Sequence, residues 1–196
     1  MRTHNILFLC TGNSARSIMA EAIATATTNG RFTGYSAGSH PTGKVNPFAI
    51  EQIESLNYPR AKLRSKSWEE FTQPCAPEMD FIITVCDSTA GEICPVWPGS
   101  PVTAHWGFPD PAAVEGSHEE KRAAFRAVFL GLKRRIELMA SLPLETLDKL
   151  SIQQKLKNIE SLASRGGSYR VSFVSWNGLC RLSIQQKFKE IGSVMP

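Results

Sequence analysis

A chain of 196 residues with 42% apolar composition can bury one good core and has room for one domain plus an appendage. Its net charge of +4 is unevenly placed, because residues 149–196 hold eight Lys and Arg against two acidic residues while the first 148 carry fourteen basic against sixteen acidic. A near-neutral body argues against nucleic acid as a partner, and the lack of a long apolar stretch argues against a membrane.

The first predicted element is a strand. Ile6, Leu7, Phe8 and Leu9 form an unbroken apolar run that suits a strand buried on both faces of a parallel sheet. Arg2 and His4 precede only these four residues, too few for a secretory leader, so the cytoplasm is the expected location. Cys10 ends the strand, and from Ser17 onward Ile18, Met19, Ala22, Ile23 and Ala26 take helical spacing. The loop Thr11, Gly12, Asn13, Ser14, Ala15 and Arg16 therefore lies at a helix N-terminus, where backbone N–H groups can surround a tetrahedral oxyanion. In such a loop Cys10 is a nucleophile, and the helix field is expected to lower its pKa from about 8.5 to roughly 3.5–7.5. Arg16 offers a planar fork for two anion oxygens, Ser17 a hydrogen bond to the thiolate, and Asn13 a brace for the turn.

Further along, Phe32–Gly38 reads as a second strand and residues 46–56 as a helix capped by Asn46 with Pro47 in its first turn. Phe81–Val85 is a third strand, ended by Cys86, and Pro101–Trp106 a fourth. A long helix is predicted from about His118 to Ala140, with Phe125, Val128, Phe129, Leu132 and Ile136 on its apolar face. This alternation predicts an α/β fold, a four-stranded parallel sheet with helices on both faces in three layers, flavodoxin-like, with chemistry at the C-terminal strand ends.

The segment Cys10-Thr-Gly-Asn-Ser-Ala-Arg16-Ser17 behind an N-terminal strand resembles the low-molecular-weight protein tyrosine phosphatase family. That resemblance implies a general acid from an Asp-Pro loop, matched by Phe108-Pro109-Asp110-Pro111. Within the family, Cys86, Cys94, the His105–Phe108 segment and Ala112 resemble the arsenate reductases, from residue 5 to about residue 140. Phosphatases acting on phosphotyrosine usually carry an aromatic residue where Ala112 stands. The resemblance implies that Cys10 attacks arsenate, Cys86 attacks the adduct, and Cys94 takes over the disulfide and presents it to a reductant. The residues between Cys86 and Cys94, among them Asp87, Ser88, Gly91 and Glu92, are expected to rearrange in that step.

No tightly bound cofactor is implied. Thioredoxin suits a disulfide passed to Cys94, whereas a glutathione and glutaredoxin route needs fewer protein thiols. Phosphate and sulfate are the expected competitors of arsenate. The alternatives are a tyrosine phosphatase using Cys10, Arg16 and Asp110, and an oxyanion-binding module that senses redox state without turnover.

No metal site is expected. His105 has no partner at metal-ligand spacing and reads as a structural hydrogen-bonding group. Asn13, Glu21 and Ser36 match positions that help to hold potassium in some thioredoxin-coupled reductases, but no remaining ligand can be placed. Cys75, between Pro74 and Pro77, matches no role. Five cysteines without a Cys-x-x-Cys pair fit catalytic use better than a disulfide framework.

Residues 1–148 are expected to form the catalytic domain and 149–196 a basic extension. There, Leu150-Ser-Ile-Gln-Gln-Lys recurs 32 residues later at Leu182. The first copy is expected to close the enzyme as a short amphipathic helix. Residues 169–176 alternate apolar and polar side chains, as a strand would, with disorder of this part of the extension the equal alternative.

Overall fold

A computed structural model describes residues 2–86 and 95–165, the last four through their backbone alone. Strand β1 runs His4–Cys10, helix α1 Arg16–Thr27, β2 Phe32–Gly38, α2 Pro47–Glu54, β3 Phe81–Thr84 and β4 Val102–His105. Helix α3 spans His118–Ala140 and α4 Lys149–Arg165. The segment 169–176 and the second Leu-Ser-Ile-Gln-Gln-Lys copy lie outside the described residues.

All four strands are parallel, in the order β2-β1-β3-β4. The chain leaves β1 to one side to make β2 and then crosses to the other side to make β3. The order therefore reverses at β1, and the crevice beyond the carboxyl ends of β1 and β3 is where such sheets place a site. Cys10 ends β1, and Val85 N–H donates to the Leu9 carbonyl (2.8 Å), carrying the pairing one residue past β3 to the neighbour of Cys86.

Both faces of the sheet are buried, which explains the unbroken apolar run of β1. Ile6 and Phe8 join the larger core, together with side chains of α1, α2, α3 and α4. Leu7 and Leu9 join a smaller core with Ala37, Phe71, Met79 and Ile82, backed by Trp68 and Trp97. Among the described residues, the cover on this second face comes from the 3-10 turn Trp68–Phe71 and the loops flanking β3. Helix α1 is buried on every side from Ser17 to Ala24. An amphipathic reading of α1 misses this, and it explains how Glu21 comes to lie inside the protein.

Local signals set the helix ends. Asn46 caps α2, its Oδ1 accepting from Phe48 N–H at 2.9 Å, with Pro47 in the first turn as expected. Ser117 and Glu120 close a capping box at the start of α3. Helix α4, which carries the first Leu-Ser-Ile-Gln-Gln-Lys copy, buries Ile152, Leu156 and Ile159 in the larger core. The Trp106 indole N–H donates to the Leu156 carbonyl at 3.2 Å. This fully buried tryptophan thereby ties α4 to the loop that follows β4.

Candidate active site

The loop between Cys10 and Arg16 is shaped from outside. Its Thr11, Gly12 and Ser14 carbonyls accept from His40, Thr42 and Asn46 N–H at 2.9, 3.0 and 2.9 Å, and the Ser65 hydroxyl donates to the Gly12 carbonyl at 3.3 Å. In a trans peptide the N–H points opposite to the carbonyl. Turning the three carbonyls toward the flanking loop therefore turns the N–H groups of Gly12, Asn13 and Ala15 inward. Asn13 N–H donates to the Cys10 sulfur at 3.2 Å, in keeping with that arrangement. Helix α1 begins at Arg16 without a side-chain cap, which leaves its first N–H groups for an anion. Asn13 holds a left-handed conformation (φ 42°), and Gly38 lets the loop lie against β2, because a Cβ there would come within 2.4 Å of the Thr11 carbonyl oxygen.

Cys10 is 3% exposed, with its sulfur 2.9 Å from the Ser17 hydroxyl. Burial pushes its thiol above the ordinary range, and a charge on Cys86 would push it further. Hydrogen bonds from Ser17 and from Asn13 N–H pull the other way without prevailing. The lowered pKa expected from the helix field is thus corrected: desolvation of the buried thiolate outweighs the groups that stabilise it. Ser17→Ala removes one of those groups. The pH midpoint for Cys10 alkylation by iodoacetamide is expected to move upward in that variant, and an unchanged midpoint would show that Ser17 does not stabilise the thiolate.

Asp110 reaches the same loop. The Arg16 guanidinium donates to the Phe108 carbonyl at 2.9 Å and pairs with Asp110 at 3.2 Å. Asp110 is about half exposed and also accepts from Ala112 N–H at 3.1 Å. Cys86 is fully buried, its sulfur 3.7 Å from the Thr11 hydroxyl. Cys10, Ser17, Arg16, Asp110 and Cys86 therefore gather at one end of the sheet. Cys94, with the interval that precedes it, lies outside the described residues. His105 Nδ1 lies 2.8 Å from the Thr84 hydroxyl across β3 and β4, which matches its structural reading. Cys75 is exposed.

Behind the loop lies a buried polar network that the sequence reading only partly reached. Asn13 donates to the Ser17 and Ser36 hydroxyls at 2.9 and 3.0 Å, and its Oδ1 accepts from Lys66 N–H at 2.8 Å. Ser36 donates to Glu21, as does the Tyr58 hydroxyl. The Lys66 ammonium closes the set, 3.3 Å from Glu21 and 3.4 Å from the Ser36 hydroxyl. Both side chains of this ion pair are only 6% exposed. A lysine cation thus sits among Asn13, Ser36 and Glu21, the residues singled out for potassium. Lys66, Tyr58, Arg135 and Glu160 all went unread as site residues. The last two contact Gly107, whose carbonyl accepts from Arg135 and whose N–H donates to Glu160.

The Cys10–Arg16 loop and the facing Asp-Pro loop can now be set beside known proteins. A sequence model described as low molecular weight phosphotyrosine protein phosphatase matches residues 5–153. The chain belongs to this family. An arsenate reductase of Halalkalibacterium halodurans is 37% identical over 135 residues, covering 69% of this chain and 94% of the relative. One from Bacillus licheniformis is 36% identical over 140 residues, covering 71% and 97%. A solved arsenate reductase in the intermediate state is 27% identical, with a TM-score of 0.55 over 71% of this chain and 98% of that one. The tyrosine phosphatase Wzb from Escherichia coli K30, in complex with sulphate, shares the fold at 22% identity and a TM-score of 0.52, over 69% and 98%.

Low molecular weight phosphatase membership makes the chain an enzyme and accounts for the four-stranded parallel sheet. The family match ends within α4, whose last twelve residues continue past it.

Proposed function

We propose that this chain reduces arsenate to arsenite by a thiol relay. The observation that carries the reading is the second buried sulfur. Cys86 lies two residues past the end of β3, the strand beside β1, with its sulfur 3.7 Å from the Thr11 hydroxyl, and is close enough to Cys10 to influence its proton. A phosphoenzyme mechanism has no use for it.

The inward N–H groups and Arg16 hold the oxyanion, and the Cys10 thiolate attacks arsenic. One arsenic–oxygen bond breaks, and Asp110, beside Arg16, protonates the departing oxygen to water. The Cys86 thiolate then attacks the Cys10 sulfur. The sulfur–arsenic electron pair stays on arsenic, which leaves as arsenite, reduced by two electrons while two thiols become a disulfide. Cys94 attacks Cys86, frees Cys10 and carries a Cys86–Cys94 disulfide to the reductant. Thioredoxin, or glutaredoxin with glutathione, is the class of partner that can reduce it, and the cytoplasm supplies both. Phosphate and sulfate share the tetrahedral shape and compete at the loop. The reacting groups all lie within residues 1–148.

Parallel assays of arsenate reduction and aryl phosphate hydrolysis on wild type and on Cys86→Ser test the reading. The expected result is arsenate reduction in wild type, lost in Cys86→Ser. Reduction that survives the substitution would remove Cys86 from the mechanism. Hydrolysis without reduction in wild type would make the chain a phosphatase, and neither activity would make it a binding module.

A further inference from the structure

We propose that Glu160 and Arg135 position the Gly107–Asp110 loop, and through it the Arg16 guanidinium, so that helix α4 tunes oxyanion binding from behind the site. This rests on the reading of the Cys10 loop as an oxyanion site.

Gly107 is held at both of its backbone polar groups by opposite charges from two helices. Its N–H donates to Glu160 of α4 at 3.4 Å, and its carbonyl accepts from Arg135 of α3 at 3.4 Å. The next residue is fixed by the same arginine, whose guanidinium lies 4.1 Å from the centre of the Phe108 ring. Gly131, one turn earlier on α3, makes room for that ring, since a Cβ there would stand 2.7 Å from Phe108 Cε1. With the ring seated, the Phe108 carbonyl faces outward and accepts from Arg16 at 2.9 Å, and Asp110 takes the other arm of the fork at 3.2 Å. A continuous chain of contacts thus runs from Glu160 and Arg135 to the anion clamp.

The burial of Arg135 calls for an explanation. It is 5% exposed, its Nε has no hydrogen-bond partner among the described residues, and burial pulls its pKa down while the Glu160 charge pushes it back up. A buried cation with an unsatisfied donor is costly to keep for packing alone. Glu160, for its part, lies past residue 153, where the family match ends. The residue that braces the loop thus comes from this chain's own continuation of the helix. Glu160 and Arg135 are positioning residues, since neither touches the reacting atoms.

The test uses the full chain and inorganic phosphate as probe, with affinity measured by calorimetry. Glu160→Ala is expected to weaken phosphate binding about tenfold and to raise the arsenate KM similarly, with kcat within about threefold. Cys10 alkylation in the absence of phosphate should be unchanged. Glu160→Gln keeps an acceptor for Gly107 N–H and should recover most of the affinity. Arg135→Met should weaken phosphate as Glu160→Ala does, and the double variant should be no worse than either alone. If Glu160→Ala does not fold, Arg135→Met decides the matter in the same way. Wild-type affinity in Glu160→Ala or in Arg135→Met would overturn the inference and leave the oxyanion reading standing. A wild-type protein that binds neither phosphate nor arsenate would overturn both.

Discussion

Lys66→Met is expected to destabilise the fold by about 3–5 kcal/mol in urea unfolding, because it strips the cation from a buried pair and leaves Glu21 uncompensated in the core. A surface ion pair would cost about 1 kcal/mol or less. The difference lies in solvent: with both side chains 6% exposed, water cannot take over from Lys66. Tyr58 and Ser36 still donate to Glu21, but two neutral donors do not replace an ammonium. Lys66→Met combined with Glu21→Gln should recover much of the loss, since it removes the orphaned charge. The network also reaches Cys10 through Asn13 and Ser17. The single variant should therefore lose activity at temperatures where it is still folded. A cost below about 1 kcal/mol would show that Glu21 finds water or a proton without penalty.

Cys10→Ser is expected to abolish turnover of arsenate and of any aryl phosphate, by roughly 10^4-fold or more, while the protein still folds and binds phosphate. A hydroxyl in this 3% exposed position, without a neighbouring base, does not ionise to a useful nucleophile. Even an arsenate ester on the oxygen introduced at position 10 would be inert to Cys86, because the relay needs a sulfur that can be attacked as electrons pass to arsenic. Residual reduction in Cys10→Ser would mean that another thiol performs the first step.

The fold was legible because its signals are local. The apolar run of β1, the Asn46-Pro47 start of α2 and the periodicity of α3 each lie within a few consecutive residues, and each element appears within a residue or two of its expected place. The place of the Cys10–Arg16 loop, between a buried strand and a helix N-terminus, was legible for the same reason. What escaped depends on contacts distant in sequence. Lys66 follows Lys62 and Arg64 and reads as part of a solvated basic stretch, and only the fold brings it to Glu21. Arg135 looks like one of three exposed cations in Lys133-Arg134-Arg135. Helical spacing held a clue, because Arg135 falls on the buried stripe of Leu132, Ile136 and Met139. The raised Cys10 thiol escaped because helix position can be read from sequence while the depth of burial cannot.

Disulfide mapping by mass spectrometry after a single turnover tests the central claim most directly. Reduced protein mixed with one equivalent of arsenate and no external thiol should release one arsenite per chain and hold a Cys86–Cys94 disulfide, with Cys10 free. In Cys94→Ser the same experiment should trap a Cys10–Cys86 disulfide. Arsenite released while Cys86 stays reduced, or no arsenite at all from protein that hydrolyses aryl phosphates, would contradict the relay.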